Sequence, residues 1–390
     1  MRPEPGDEVV RLRLRDDEVK IHSSYEIKRG VLESPSTFAV RLGDGRSVSA
    51  LLKRYPPRTP FQLLIGNTPQ FTGLTDGFRA GGGSGGSSEI TLTGRDITAF
   101  FHDGMIQRDQ GLNGATYLSL LEKAMDLTGM VHPFTGARPQ ILATNDDNRR
   151  QITGQRARSA SSKTVKDLLT ESAGTRGAAY QVVRARAGER IFDLLRRHLE
   201  SIGCFIWAAN DGNLVIGRPD GDQRPMARIE RLRGQRGANI LPGATYEEDH
   251  SKRFTEVIVY GRHSGRKKAR THIKSSFEDE EFIALGYDRP LVLTSEETTS
   301  FKHAEHVARC RLARGRREGF ELTYPMAGHT TEGFDGGVVT WAPDTTVVVK
   351  DEEFGLDEIF WVQHCTDTRS PETQTVLKLL RPADLVFGED

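Results

Sequence analysis

The sequence predicts an α+β, β-rich fold, with runs of short strands at both ends and helix-bearing inserts between them. Three observations predict it. Stretches such as EVVRLRLRDDEVKI (8–21) and FTEVIVYGR (254–262) alternate apolar and polar residues, the period of a half-buried strand. Gly, Pro and Asp-Gly turn signals break the chain into short pieces. Between the β-rich ends, a few segments carry apolar residues at three-to-four spacing, the stripe of an amphipathic helix.

The elements follow in order. In the first run, Val10, Leu12 and Leu14 share one strand face. A break at Lys28–Pro35 precedes a strand at Phe38–Gly43, a turn at Gly43-Asp44-Gly45 and a strand near Ser47–Leu52. Pro56, Pro57 and Pro60 mark the next turn, and Phe61–Gly66 with QFTGLTDGFRA (70–80) form a hairpin-like pair. About five short strands with tight turns suggest a small barrel or sandwich. The tract GGGSGGSS (81–88) reads as a flexible loop inside a hairpin, because EITLTG (89–94) resumes as a strand. No Gly-Lys-Ser/Thr follows it, so it is not a phosphate-binding loop. A short helix is expected in ITAFFHDGM (97–105). A second covers Ala115–Leu127, with Tyr117, Leu118, Leu121, Ala124 and Met125 on its stripe and Gly129 as its stop. Residues 131–180 read as loops with one short helix at Ser162–Thr170. AGERIFDLLRRHLESIG (187–203) is the clearest helix, its stripe Ile191, Leu194, Leu195, Leu199 and Ile202, and it feeds a hairpin turning at Asp211-Gly212. Residues 219–244 read as a basic loop and GRKKAR (265–270) as an exposed one. A long helix is expected over Ser295–Glu318 with Phe301, Ala304, Val307, Ala308 and Leu312 facing inward. The tail returns to β: GFELTYPMAG (319–328), TTVVVKD (345–351), EIFWVQHCTD (358–367) and TQTVLKLLRP (373–382). Val348 is expected to be buried in its strand. No sequence repeat between the opening and closing runs is evident.

At 390 residues the chain is too long for one ordinary core, so two to four domains are expected. With 36% hydrophobic and 28% charged residues it has the composition of a soluble globular protein. No apolar run approaches the roughly 18 residues of a membrane span, and the charged N-terminus has no apolar export signal. The three cysteines, Cys204, Cys310 and Cys365, are too sparse for a disulfide framework, which points to folding in a reducing cytoplasm. The 54 basic and 54 acidic residues balance, against the excess positive charge of a general nucleic-acid binder. The charge is nonetheless uneven. Residues 149–197 hold twelve Lys/Arg against four Asp/Glu, and residues 351–390 hold three against ten. Such faces suit docking between copies or onto charged partners, although solvated faces are the more ordinary reading.

Few residues suggest chemistry. His303, His306 and Cys310 have a spacing that could gather metal ligands on one helix, but a fourth ligand is missing and ordinary helix composition is preferred. His102, Asp103 and His198 could be acid–base groups, yet histidines beside apolar residues are mostly packing residues. No G-x-S-x-G, HExxH or CxxC motif is present, and no carboxylates are spaced as a glycosidase pair. The basic run Arg262–Arg270 lacks the interleaved aromatics of a single-strand binder. Trp207, Trp341 and Trp361 suit either interface anchors or core. No catalytic, cofactor-binding or metal-binding residue is therefore assigned, and no cofactor is expected.

Five stretches, in this order, resemble the baseplate hub (tail protein P) of Mu-like contractile-tailed phages, a distant relative of the hub half of type VI secretion spike proteins. The first is ITLTGRDITAFFHDGMI (90–106), a strand ending in Gly-Arg-Asp before a short helix. The second is Gly188–Arg218, similar to a G-E-x-x-[FL]-x-x-[IL] helix followed by a D-G-x-L-V hairpin. The third is NILPGATYEEDHSKRFTEVIVYGR (239–262), where Asp249, Ser251, Arg253, Phe254, Thr255, Val259 and Gly261 match a hub strand pattern. The fourth is YDRPLVL (287–293) before the long helix. The fifth is GGVVTWAPDTTVVVKD and the strands after it, similar to a closing barrel that begins with a W-x-P-[ND] turn. Gly-Arg-Asp alone is common, so order and spacing over some 300 residues carry the resemblance. The Gly/Ser tract and the Arg-rich 131–180 depart from it.

The resemblance implies two small tube-type β-barrel domains with inserted α/β domains. The implied boundaries are 1–96 for the first barrel, 97–186 for a helical and loop insert, and 187–245 for a small α+β domain. The second barrel spans 246–390, built from strand 254–262 with 320–384 and carrying the inserted helix 295–318. It implies a homotrimeric hub ring between the sixfold tail tube and the threefold central spike. Partners would be its own copies, the tail tube protein, the spike protein and other baseplate proteins, in the virion after assembly in the host cytoplasm. DNA would pass through the pore without sequence-specific contacts. The hub of a tailocin or other contractile injection system is the neighbouring reading. A tail-associated cell-wall hydrolase is a more remote one.

Overall fold

The structure, a computed structural model, describes residues 9–19, 24–42, 53–82, 88–113, 116–143, 182–200, 203–233, 240–262, 272–295, 298 and 301–386. The strand expected near 47–52, the helix at 162–170, the loop at 265–270 and most of the Gly/Ser tract lie outside these residues.

The N-terminal lobe comprises β1 (Val10–Leu14), β2 (Asp17–Val19), β3 (Ser24–Gly30), β4 (Thr37–Leu42), β5 (Pro60–Ile65), β6 (Thr68–Gly82) and β7 (Ser88–Asp96). Its alternating residues converge on one core, where Leu12, Leu14, Ile27, Val40, Leu63 and Leu92 surround Phe38, Phe61 and Phe71. The rings of Phe38 and Phe61 stack at 3.8 Å. Such aromatic packing adds about 0.5–1.5 kcal/mol per pair beyond the burial itself.

A middle module follows: α1 (Ala99–Asp103), β8 (Gln110–Asn113), α2 (Tyr117–Thr128), β9 (Ile141–Ala143), β10 (Val182–Ala185), α3 (Ile191–Glu200), β11 (Phe205–Ala208) and β12 (Leu214–Gly217). The Thr116 hydroxyl caps α2 by accepting from the Ser119 N–H, and Gly129 ends it at φ 60°, a left-handed stop that favours glycine. Phe101, Leu121, Met125, Leu195, Leu214 and Ile216 belong to one core. Residues up to β12 from the regions expected as separate domains, 97–186 and 187–245, therefore share a core, while Met226, Ala227 and Ile229 belong to another.

The remaining elements are β13 (Ala227–Arg231), β14 (Thr245–Glu248), β15 (Glu256–Arg262), β16 (His272–Glu278), α4 (Glu280–Ala284), β17 (Pro290–Ser295), α5 (Phe301–Glu318), β18 (Phe320–Ala327), β19 (Thr330–Glu332), β20 (Val338–Thr340), β21 (Thr345–Asp351), β22 (Leu356–Arg369) and β23 (Thr373–Leu380). Here the structure corrects the expected pairing. β15 does not join the closing β lobe; it is the centre of a separate sheet, antiparallel to β16 and parallel to β17, packed on α5 through Val257, Val259, Ile273, Ala304, Ala308 and Leu312. The C-terminal lobe instead takes in β13, from the stretch 219–244 expected to be loop, and β14 just after it. Strand β17 runs to Ser295, so the long helix starts at Phe301, and Phe301 is 58% exposed rather than facing inward.

Both lobes belong to one 13-stranded sheet, and within it they repeat a pattern. The N-terminal lobe has the spatial order β3-β4-β7-β6-β5-β1, and the C-terminal lobe has β14-β18-β23-β22-β21-β13. Read along the chain, β1, β3, β4, β5, β6 and β7 take the same places as β13, β14, β18, β21, β22 and β23. The long strands correspond as well: β6 slips register against β7 between Thr75 and Gly77, and β22 slips against β23 between Val362 and His364. One pairing differs, since β1 runs antiparallel to β5 and β13 runs parallel to β21. The β15–β17 module and α5 are inserted between β14 and β18, where the N-terminal lobe has only the short connection from β3 to β4.

The closing strands also correct one position. Val347 is fully buried between Ala227 and Phe360, but Val348 lies on the opposite face, paired with Arg228 and with Ile359, which is 42% exposed. Strand alternation thus puts Val347 and Val349 in the core and leaves Val348 half-buried outside it.

Candidate assembly interface

The two lobes are joined through a single strand. The first half of β22, to Val362, pairs with β21. Past its bulge, His364–Arg369 pair with β3 of the other lobe. Gly30 sits where β3 meets this bend, and a Cβ there would lie 2.9 Å from the His364 ring.

Buried charge spans the same seam. The Arg29 guanidinium lies 2.7 Å from the Asp367 carboxylate, with both side chains almost wholly inaccessible, and it donates to the Trp341 carbonyl at 3.0 Å. Asp367 Oδ1 accepts from the Thr375 hydroxyl at 2.9 Å. That hydroxyl has spent its proton, so at 2.8 Å it accepts from His329 Nδ1. The remaining ring nitrogen, Nε2, is hydrogen-bonded to the Tyr25 hydroxyl at 2.6 Å. The chain of bonds ties β3 to β22, β23 and the turn after β18. Burying an ion pair gains little net stability, but it specifies how its two sides must meet.

The motif residues take part in close packing, ion pairs and turn hydrogen bonds. A side chain at Gly94 would run into the Leu74 carbonyl and the Phe38 ring. Arg95 reaches Asp76 at the β6 bulge and, at 2.8 Å, Asp103 on α1. Asp96 accepts from the backbone N–H of Ser36 and Thr98, both at 2.8 Å. Asp249 accepts from the N–H and hydroxyl of Ser251. Arg253 lies 3.2 Å from Asp279 and over the Phe282 ring. Burial pushes the Asp279 carboxyl up, but the guanidiniums of Arg316 and Arg253 outweigh it and hold the group below the usual range. In the W-x-P-D turn, Asp344 adopts φ 59° and accepts from the indole N–H of Trp361 at 3.0 Å.

The sequence-level chemical candidates are engaged in packing. His102 stacks on Phe192 at 3.8 Å, and burial, with Arg95 nearby, lowers its pKa to about 4. Its neighbour Asp103 is held by Arg95, and His198 lies half-buried on α3. His306 Nε2 contacts Cys310 Sγ at 3.1 Å on α5, with His303 one turn earlier. Among the described residues no group of three or more His, Cys, Asp or Glu is placed to hold a metal ion. Burial pushes the Cys204 thiol up to about 11 and that of Cys365 further. Trp341 and Trp361 are fully buried and Trp207 is 7% exposed, so all three are core.

Two of the strand edges left open among the described residues belong to β6 and β14. From Gly77 onward β6 pairs only with β7. At the end of the sheet β14 pairs only with β18, and all four of its residues are exposed. Open edges invite pairing by another chain.

No protein-family model matches the sequence, and neither does any curated protein. Solved structures do resemble the fold. A tail protein from Neisseria meningitidis superposes with a TM-score of 0.72 at 24% identity, covering 97% of this chain and 99% of its own. The 43 kDa tail protein of prophage MuSo2 from Shewanella oneidensis gives 0.71 at 19% identity, covering 98% and 100%. A chain of a Francisella PdpA–VgrG complex gives 0.50 at 8% identity, covering 95% of this chain and 57% of that one. The chain thus has the fold of the two tail proteins over nearly its whole length.

Proposed function

We propose that the chain is a structural baseplate hub of a contractile phage tail, a homotrimeric ring joining the sixfold tail tube to the threefold central spike, with no enzymatic role. The observation that carries this reading is the repeated strand order of the two lobes. Three copies would present six similar lobes to a sixfold tube while the ring kept threefold symmetry for a spike, and closed symmetry is how such assemblies terminate. End-to-end likeness in fold to two tail proteins supports it. On this reading the lobes are the two tube-type β-barrel domains, and the middle and β15–α5 modules are inserts. Partners are its own copies, the tail tube protein, the spike protein and other baseplate proteins, in the virion tail after assembly in the host cytoplasm.

Light scattering across a concentration range, with negative-stain microscopy, tests the reading. It expects three times the 43.4 kDa chain mass and rings with a central channel. A chain that stays monomeric and binds neither tube nor spike protein would sink it. The likeness to a chain of the Francisella complex favours, as a second reading, the hub of a tailocin or other contractile injection system. Co-purification with DNA-filled particles separates the two.

A further inference from the structure

Inside one chain the lobes meet by one junction, the far half of β22 against β3. In the repeated strand order the counterpart of β22 is β6 and that of β3 is β14. Both of these strands have an edge left open among the described residues. Each copy therefore carries, unused, both halves of a second junction of the kind it has already made internally.

The register of that second junction can be transferred residue by residue. His364 and Gly77 are each the first residue past the bulge of the long strand, facing Lys378 and Thr93. Cys365, Thr366, Asp367 and Thr368 thus correspond to Phe78, Arg79, Ala80 and Gly81. On the other side, Ile27 lies opposite Phe38, which lies opposite Gly94 and then Thr75, the residue before the bulge. Tyr246 lies opposite Leu322, then Leu379 and then Val362, also the residue before the bulge. Ile27 therefore corresponds to Tyr246, and Arg29, Lys28 and Glu26 correspond to Glu248, Glu247 and Thr245. Within the chain Cys365, Thr366, Asp367 and Thr368 face Arg29, Lys28, Ile27 and Glu26.

We propose that β6 of one copy adds to β14 of the next in antiparallel register, with Phe78, Arg79, Ala80 and Gly81 opposite Glu248, Glu247, Tyr246 and Thr245. The occupant of each open edge is thus a second copy of this chain, and the assignment rests on the ring reading given above. The side chains agree with a register that topology alone dictates. Arg79 and Glu247, both exposed, fall directly opposite each other as unlike charges. Phe78 and Tyr246, 41% and 36% exposed, come onto one face as diagonal neighbours, within reach of aromatic rings. Ala80 and Gly81 offer little bulk to Tyr246 and Thr245. The contact is heterologous, so repeating it head to tail gives a ring when its rotation closes, and it covers both the β6 and the β14 edge of every copy.

The test uses the full-length chain and light scattering. Arg79→Glu sets three acidic residues together, and Glu247→Arg sets two basic ones. Each single variant is expected to fall to the 43.4 kDa monomer where the wild type is assembled, an affinity loss of about tenfold or more. The Arg79→Glu/Glu247→Arg double variant is expected to restore assembly. Far-UV circular dichroism checks folding, which substitutions at these exposed positions should leave unchanged. As a second measurement, Arg79→Cys and Glu247→Cys chains mixed one to one under copper–phenanthroline should give a disulfide dimer that neither forms alone. A wild-type ring that both charge reversals leave intact, with no cross-link, overturns this interface and leaves the ring standing. A wild type at monomer mass at every concentration removes the ring reading and the interface with it.

Discussion

Replacing Val347 by Asp should damage the C-terminal lobe severely, and the same change at the next residue should not. Val347 is fully inaccessible, with Ala227 on one side and Phe360 on the other, both also inaccessible. Losing its burial costs about 1.5–3 kcal/mol. Placing a carboxyl there without a hydrogen-bond partner costs roughly 1–3 kcal/mol more. The sum, about 3–6 kcal/mol, is a large share of the roughly 5–15 kcal/mol that holds a domain folded. Val348 points the other way, beside the exposed Arg228, so Val348→Asp should stay within about 0.5 kcal/mol of wild type. Urea unfolding followed by tryptophan emission suits the question, because Trp341 and Trp361 are buried in this core. Equal losses for the two variants would refute the strand register, and so would an unchanged midpoint for Val347→Asp.

Three further outcomes follow from the geometry. Truncating Arg29 to Ala leaves Asp367 buried without its cation and should cost about 3–5 kcal/mol, whereas Arg29→Met with Asp367→Leu should recover much of it; a double-mutant cycle by urea unfolding checks both. Gly94→Ala drives a methyl into the Leu74 carbonyl and the Phe38 ring, and a drop in melting temperature of several degrees is expected by calorimetry. His102 takes a proton only near pH 4 when folded but near 6.5 when unfolded, so its contribution is present above 6.5 and lost as pH falls toward 4. Full burial would make this about 3 kcal/mol, and partial exposure cuts it to roughly 1–2 kcal/mol. His102→Phe keeps the stack on Phe192 and should flatten that part of the stability–pH curve.

The longer helices and many strands could be read from the sequence because each carries its own periodicity, whereas the short helix Glu280–Ala284 and strands such as β3 and β16 could not. The stripe of Ile191, Leu194, Leu195 and Leu199 is visible without neighbours, and all four are buried. The partners of strands are not local, and that is where the reading went astray. FTEVIVYGR looks like any half-buried strand, and nothing in it says that it joins β16 and β17 rather than the closing lobe. Strand β13 was hidden because Arg228, Glu230 and Arg231 make Ala227–Arg231 look like basic loop, although Ala227 and Ile229 reach the core. The run Val347-Val348-Val349 carries no alternation to say which valine faces out. The seam network was beyond reach, since Tyr25, Arg29, His329, Asp367 and Thr375 meet across some 300 residues of sequence. The repeat of strand order leaves no trace in side chains because it resides in backbone pairing.

The strand common to both lobes also determines how load crosses the molecule. Separating the lobes means breaking the ladder between His364–Arg369 and β3, whose bonds run across the strands. Twisting one lobe against the other would wring the same backbone and tear Arg29 from Asp367. The two lobes are therefore coupled through one shared strand and one buried ion pair. Whatever gives way under strain will do so first where the chain is not sewn to itself.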